Sequence, residues 1–175
     1  MINKEQYQHL NKNELKNELL YACRYGYLDI VQYLLTSPDL KKHVDIHCKT
    51  PSGWDALIFA CINGHLDIAQ YLLTSPELKE HANIYHKNND GDNALMFACI
   101  NGHLNIIQYL IIDMNMKINK KTIKWLQGNN KDNMVYSNVL ILIESRNYSR
   151  NLHQQLDNSI NSENINKKKV AGIKI

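Results

Sequence analysis

Ala60-Cys61-Ile62-Asn63-Gly64-His65-Leu66 returns unchanged as Ala98-Cys99-Ile100-Asn101-Gly102-His103-Leu104, and this repetition decides the fold. A looser copy lies upstream, Tyr21-Ala22-Cys23 followed by Gly26-Tyr27-Leu28-Asp29-Ile30. Gln32 to Pro38 is repeated letter for letter at Gln70 to Pro76. Cys23, Cys61 and Cys99 therefore stand 38 residues apart. A fixed period of this size means a small unit stacked on copies of itself, and about three units are needed to hold such a stack together.

Each unit reads as helix, turn, helix and a long return, so the expected fold class is all-α, a helical solenoid with polar finger loops. Asp55 precedes the apolar run Ala56 to Ile62, where its carboxylate can accept from the free amides of a first helical turn. Asn93 and Asn17 hold the equivalent place in the other units. Leu57, Ala60 and Cys61 fall at i, i+3 and i+4 and define one buried face. Gly64 and Gly102 stop the first helix in the manner of left-handed C′ residues. The second helix starts near Leu66-Asp67, with the acid at the positive end of the helix dipole. Its Ile68, Ala69, Leu72 and Leu73 make a stripe that no single unit can cover alone. Thr74-Ser75-Pro76-Glu77, like Thr36 to Lys42, predicts an extra helical turn, with proline where its missing N–H costs nothing. Polar fingers ending at Ser52-Gly53 and Asp90-Gly91 follow.

In this phase the pattern resembles the ankyrin repeat. Gly91, Leu95, Ala98, Gly102-His103, Ile106-Ile107 and Leu110 follow the family's unit. So do Gly53, Leu57, Ala60, Gly64-His65, Ile68, Leu72-Leu73 and His81 to Ile84. Ala22, Gly26, Ile30-Val31, Leu34-Leu35 and Val44 to Ile46 carry the first unit. The family's Thr-Pro-Leu-His is replaced by Asp55-Ala56-Leu57-Ile58 and Asn93-Ala94-Leu95-Met96, and the insert after the second helix lengthens the family's period of about 33 residues. The expected organisation is a leader over 1–16, repeats over 17–54, 55–92 and 93–119, a degenerate helical cap over 120–156, and a disordered polar tail over 157–175. Within the cap, Thr122 is expected to open one helix that Gly128-Asn129-Asn130 ends. Met134 to Ser145 and Tyr148 to Leu156 would form two more. Such a cap closes the exposed dry end of a stack.

Composition narrows the function. With 44% hydrophobic and 21% charged residues most of the chain can bury a core, and a formal net charge of +3 is too small to argue nucleic acid or membrane as a partner; neither is expected. Met1 to Gln6 lacks the order of a signal peptide. No apolar run reaches bilayer length. Of the four cysteines, three mark one place in successive units. Stacked layers about 8–10 Å apart keep them from pairing, so they read as small buried residues in a reducing, cytoplasmic setting.

No catalytic or phosphate-binding motif occurs, and no cofactor or small-molecule substrate is expected. His65 and His103 recur with the repeat, and the resemblance implies turn hydrogen bonds for them. His43, His47 and Cys48 form the only cluster suited to a metal, without metal-site spacing; an enzyme using them, or the C-terminal segment, is the first alternative. The second is nucleic-acid binding through Lys167-Lys168-Lys169. The resemblance implies instead a monomeric, non-catalytic scaffold binding a protein along finger tips and first helices. Carried over by position, that face comprises Arg24, Tyr25, Pro51, Ser52, Trp54, Ile62, Asn63, Asn89, Asp90, Asp92, Ile100 and Asn101. Trp54 stands out, because tryptophan is enriched among binding hot spots. Heavy use of Asn, Ile and Lys points to an AT-rich genome, such as that of an intracellular bacterium or a large DNA virus, and thus to a host protein as a partner to consider.

Overall fold

The computed structural model describes residues 5–129 and 134–170, with side chains over 5–128 and 134–158. Its helices are α1 Glu5–Gln8, α2 Lys12–Tyr25, α3 Leu28–Thr36, α4 Ala56–Ile62, α5 Leu66–Thr74, α6 Ala94–Asn101, α7 Leu104–Gln108, α8 Lys120–Asn129 and α9 Met134–Val170. A π-helical turn, Tyr109–Asp113, prolongs α7. Among the described residues the only β-type pairing is an isolated bridge between Lys49 and Asp55. Helices α2, α4, α6 and α8 stack in one layer, while α3, α5 and α7 form the other and α9 packs on α7 and its π turn. The architecture is an all-α solenoid.

The caps explain where the helices start. Asp55 Oδ1 accepts from the Ile58 amide at 2.8 Å, and Asn93 Oδ1 from the Met96 amide at 3.0 Å. Asn17 does not cap. Asn11 does, accepting from the amides of Asn13 and Glu14, while the Glu14 carboxylate takes the Asn11 amide at 2.7 Å. That reciprocal box sits two turns upstream, and nothing between it and Asn17 breaks a helix. As a result α2 has 14 residues, against 7 in α4 and 8 in α6.

Shared burial fixes the stack. Leu57, Ala60 and Cys61 of α4 are at most 1% exposed, as are Leu95, Ala98 and Cys99 of α6. Ile68 and Leu72 repeat this in α5, and Ile106, Ile107 and Leu110 in the last unit. Each such aliphatic side chain contributes roughly 1.5–3 kcal/mol over an exposed one, and only a neighbouring unit can supply the cover. The inserts are pinned by Leu40 and Leu78, both buried. The first closes a helical turn, Lys41 N–H to Ser37 C=O at 2.9 Å and Val44 N–H to Leu40 C=O at 3.1 Å. The second is a single tight turn, Leu78 N–H to Ser75 C=O at 3.2 Å, after which Ala82 donates back to Leu72 C=O.

The C-terminal elements differ from expectation at three points. Asn119, not Thr122, caps α8: its Oδ1 accepts from the Thr122 amide at 2.8 Å and the Thr122 hydroxyl at 3.1 Å, which places Thr122 inside the first turn. Helix α9 is one element across the expected break near Ser145 to Tyr148. It also continues to Val170 through a stretch expected to be disordered, where no glycine or proline interrupts. Residues 171–175 of that expected tail, and Asn130 at the end of α8, lie outside the described residues. Leu126, Val135 and Val139 are buried, so α8 and α9 contribute to the core.

Candidate functional site

The fingers are stiffened from within and then tied to one another. In the first unit's finger, the Thr50 amide donates to Trp54 C=O at 2.9 Å and the Trp54 amide to Thr50 Oγ1 at 3.1 Å. In the second unit's finger, buried Asn88 accepts at Oδ1 from the amides of Asp90 and Asp92. Asn89 bridges the two tips: its Nδ2 donates to Pro51 C=O at 3.0 Å and its amide to Ser52 C=O at 3.1 Å. His86 Nε2–H donates to Gly53 C=O at 2.7 Å. Lys121 of α8 then holds the second tip, donating to Asp90 C=O at 2.7 Å and pairing with Asp92 at 2.6 Å. Pro51, Ser52, Asn89, Asp90 and Asp92 thus lie together, and much of their polar capacity fixes the shape of the edge.

Aromatic side chains cover the first helices beside these tips. Trp54 is half-buried, its ring 5.5 Å from Phe59 of α4 and 4.8 Å from Phe97 of α6. It therefore joins two units as well as presenting an edge to solvent. Tyr21 occupies in α2 the place of Phe59 and Phe97, each just before the repeat's alanine. Without a tryptophan over it, Tyr21 is 51% exposed. Tyr21 packs on Tyr25 at 4.4 Å and on Tyr27 at 6.2 Å, all three rings being exposed. The Arg24 guanidinium lies 5.6 Å from the Tyr25 ring. Tyr21, Tyr27, Phe59 and Phe97 were not among the face residues expected from sequence. The signal was present in the 38-residue equivalence of Tyr21, Phe59 and Phe97.

The remaining expected residues sit at helix ends. Ile62 is half-buried and Ile100 exposed. Asn63 and Asn101 are exposed, and each donates its Nδ2–H back to the carbonyl of Phe59 or Phe97 at 2.9 Å.

His65 and His103 are stacking devices. His65 Nε2–H donates to Arg24 C=O at 3.1 Å, and His103 Nε2–H to Ile62 C=O at 3.0 Å. Each ring reaches one unit back and lies over that unit's turn glycine. A Cβ built on Gly26 would come within 2.7 Å of His65, and one on Gly64 within 2.9 Å of His103. These glycines also have φ of +81° and +84°. Glycine is required twice over, for backbone and for space.

Cys23, Cys48, Cys61 and Cys99 are free and buried. Burial pushes the Cys48 and Cys99 thiols up to about 12, and raises those of Cys23 and Cys61 strongly, which removes thiolate character. His43 and His47 are exposed on the return beside Cys48, and His47 pairs with Glu80 at 3.4 Å. Among the described residues no three His, Cys, Asp or Glu groups converge as a metal site would require. Among the described residues no helix is long and apolar enough to cross a membrane.

The profile described as ankyrin repeats (3 copies) matches residues 19–122. No curated protein sequence matches the chain. Among solved structures, a chain of the complex of Bd0816, a predatory endopeptidase from Bdellovibrio bacteriovorus, with immunity protein Bd3460 superposes with a TM-score of 0.54 at 25% identity. That match covers 71% of this chain and 62% of the other, so this chain spans less than two thirds of that neighbour's length. With the profile matching more than half of its residues, the chain belongs to the ankyrin repeat family, whose stacks serve protein–protein interaction.

Proposed function

We propose that this chain is a non-catalytic scaffold that grips a protein partner along the face made by α2, α4 and α6 and the two finger tips. The observation that carries this reading is the aromatic strip. The exposed Tyr21, Tyr25 and Tyr27 form one end of it, and half-buried Trp54 and Phe59 continue it over a buried Phe97 that serves as its floor. Tyrosine, tryptophan and arginine dominate binding hot spots because they offer large contact area with few rotatable bonds. The hydrogen-bonded tips keep that area rigid before binding, which lowers the entropy cost of association. The neighbouring fold comes from a complex between an endopeptidase and an immunity protein. That supports a folded protein as the kind of target. The free thiols fit a cytoplasmic setting, in the cell that makes the protein or in a host.

Affinity capture from candidate cytosol with mass spectrometry identifies the partner, and binding by variants locates the face. Tyr25→Ala combined with Arg24→Ala should weaken that partner by more than about 1 kcal/mol, roughly fivefold or more. Full-strength binding by the double variant would reject this face.

A further inference from the structure

A second feature lies away from the aromatic strip, in the cleft between α9 and the return that follows the π turn. The cleft has a volume of about 680 Å³, with Ile112 and Asn115 on one side and Arg146 and Arg150 of α9 on the other. The two arginines stand one helical turn apart and so share a wall. Among the described residues both are engaged by neutral acceptors: Arg146 donates to Met116 C=O at 2.8 Å, and Arg150 to Asn115 Oδ1. Among the described residues neither forms an ion pair. Asp157, the one acid lining the cleft, is paired with neither. Arg146 Nε is buried without a hydrogen-bond acceptor. Each guanidinium has five donors, and these contacts use one apiece.

Arg146 is half-buried with its Nε unpaired and a second cation one turn away, an arrangement that an anion between the two would relieve. Burial, and secondarily the charge of Arg150, lower the pKa of Arg146. A planar fork of donors matches paired oxygens bearing negative charge. We propose that this cleft is an oxyanion site, taking a phosphate or carboxylate group between Arg146 and Arg150. His153, one turn further along α9, has its ring fixed to the same wall by an Nδ1–H bond to Ser149 C=O at 2.7 Å. The site is independent of the protein-binding face and stands or falls separately.

The test is titration of the full chain with sodium phosphate and, separately, sodium acetate, against sodium chloride at matched ionic strength, read by amide chemical shifts. Expected are saturable shifts confined to residues near 112–116 and 145–153, with a midpoint of about 1 mM for the preferred anion. Saturation by phosphate alone assigns the site to phosphate groups; saturation by both admits carboxylates. Arg150 is exposed, so Arg150→Gln should keep the spectrum elsewhere and weaken binding about tenfold or more. Arg150→Lys should retain part of the affinity, and Lys42→Gln, remote on the first insert, all of it. Absence of saturable shifts with either anion overturns the proposal. So does equal affinity in Arg150→Gln and the unmodified chain.

Discussion

Replacing Gly64 by alanine should destabilise the stack more than the same change at Gly102, although the two glycines occupy identical places in identical heptapeptides. Both have positive φ, +84° and +72°, so alanine incurs a left-handed strain of roughly 1–2 kcal/mol at either site. At Gly64 the new Cβ also falls 2.9 Å from the His103 ring. The ring must move, and its bond to Ile62 C=O, worth roughly 0.5–1.5 kcal/mol, is weakened or lost. At Gly102 the nearest atom is Val135 Cγ2 at 3.5 Å, an ordinary contact. The loss of unfolded-state freedom is the same for both changes and cancels. The expected difference is therefore about 1 kcal/mol, or about 2–4 °C in Tm for a chain of this size. Urea unfolding of the two variants measures it. Repeating the pair in a His103→Ala background should erase the difference, because the partner in the clash is gone. Equal losses at Gly64 and Gly102, or a gap that survives His103→Ala, would refute the reasoning.

Other expectations follow from single groups. Asp55→Ala should cost about 1–2 kcal/mol through its lost cap, whereas Asp55→Asn should cost little, since Asn93 performs the same task in the next unit. Burial raises the Asp55 carboxyl above its ordinary 3.8. The folded state therefore holds that proton more tightly than the unfolded chain does. Stability gained from it is complete below the ordinary value and is lost as pH rises through the raised one. Unfolding of the unmodified chain should accordingly lose stability relative to Asp55→Asn across that window and run parallel above it. Trp54→Ala should lower stability by about 2 kcal/mol before any partner is added, because it removes contacts to both Phe59 and Phe97. Tyr25→Ala, on an exposed ring, should leave the unfolding midpoint nearly unchanged. Native-state labelling with a thiol reagent at pH 8 should leave Cys23, Cys61 and Cys99 unreacted until urea unfolds the chain; rapid labelling would mean the layers are not closed.

The repeat was legible because equivalent residues solve the same packing problem in each unit. Cys61 and Cys99 are small for the same reason, namely that the neighbouring helix approaches them closely. Asp55 and Asn93 announced their helices because a polar side chain before an apolar run has one obvious use. Asn17 misled because the repeat register placed it at a cap, while the Asn11–Glu14 box two turns earlier competes for the same start and wins. Thr122 misled in a similar way, since Asn119 precedes it at capping distance. The unbroken α9 was hidden by composition: a run rich in asparagine and lysine looks like a tail, although nothing in it forbids a helix. On the face, Trp54 was visible as an aromatic in a polar finger. Its partners Phe59 and Phe97 carry a 38-residue equivalence that was left unused, and Phe97 is in fact buried. Arg146 and Arg150 carry no motif at all, and only the approach of α9 to the return at Asn115 and Met116 gives them meaning.

The most direct test of the scaffold reading is hydrogen exchange of the chain alone and saturated with its captured partner. Protection should increase at Tyr21 to Tyr27, at 50–54, at Phe59 to Asn63 and at 88–101, and stay constant along α3, α5 and α7. Protection gained on those second-layer helices, with the aromatic strip unchanged, would contradict the account.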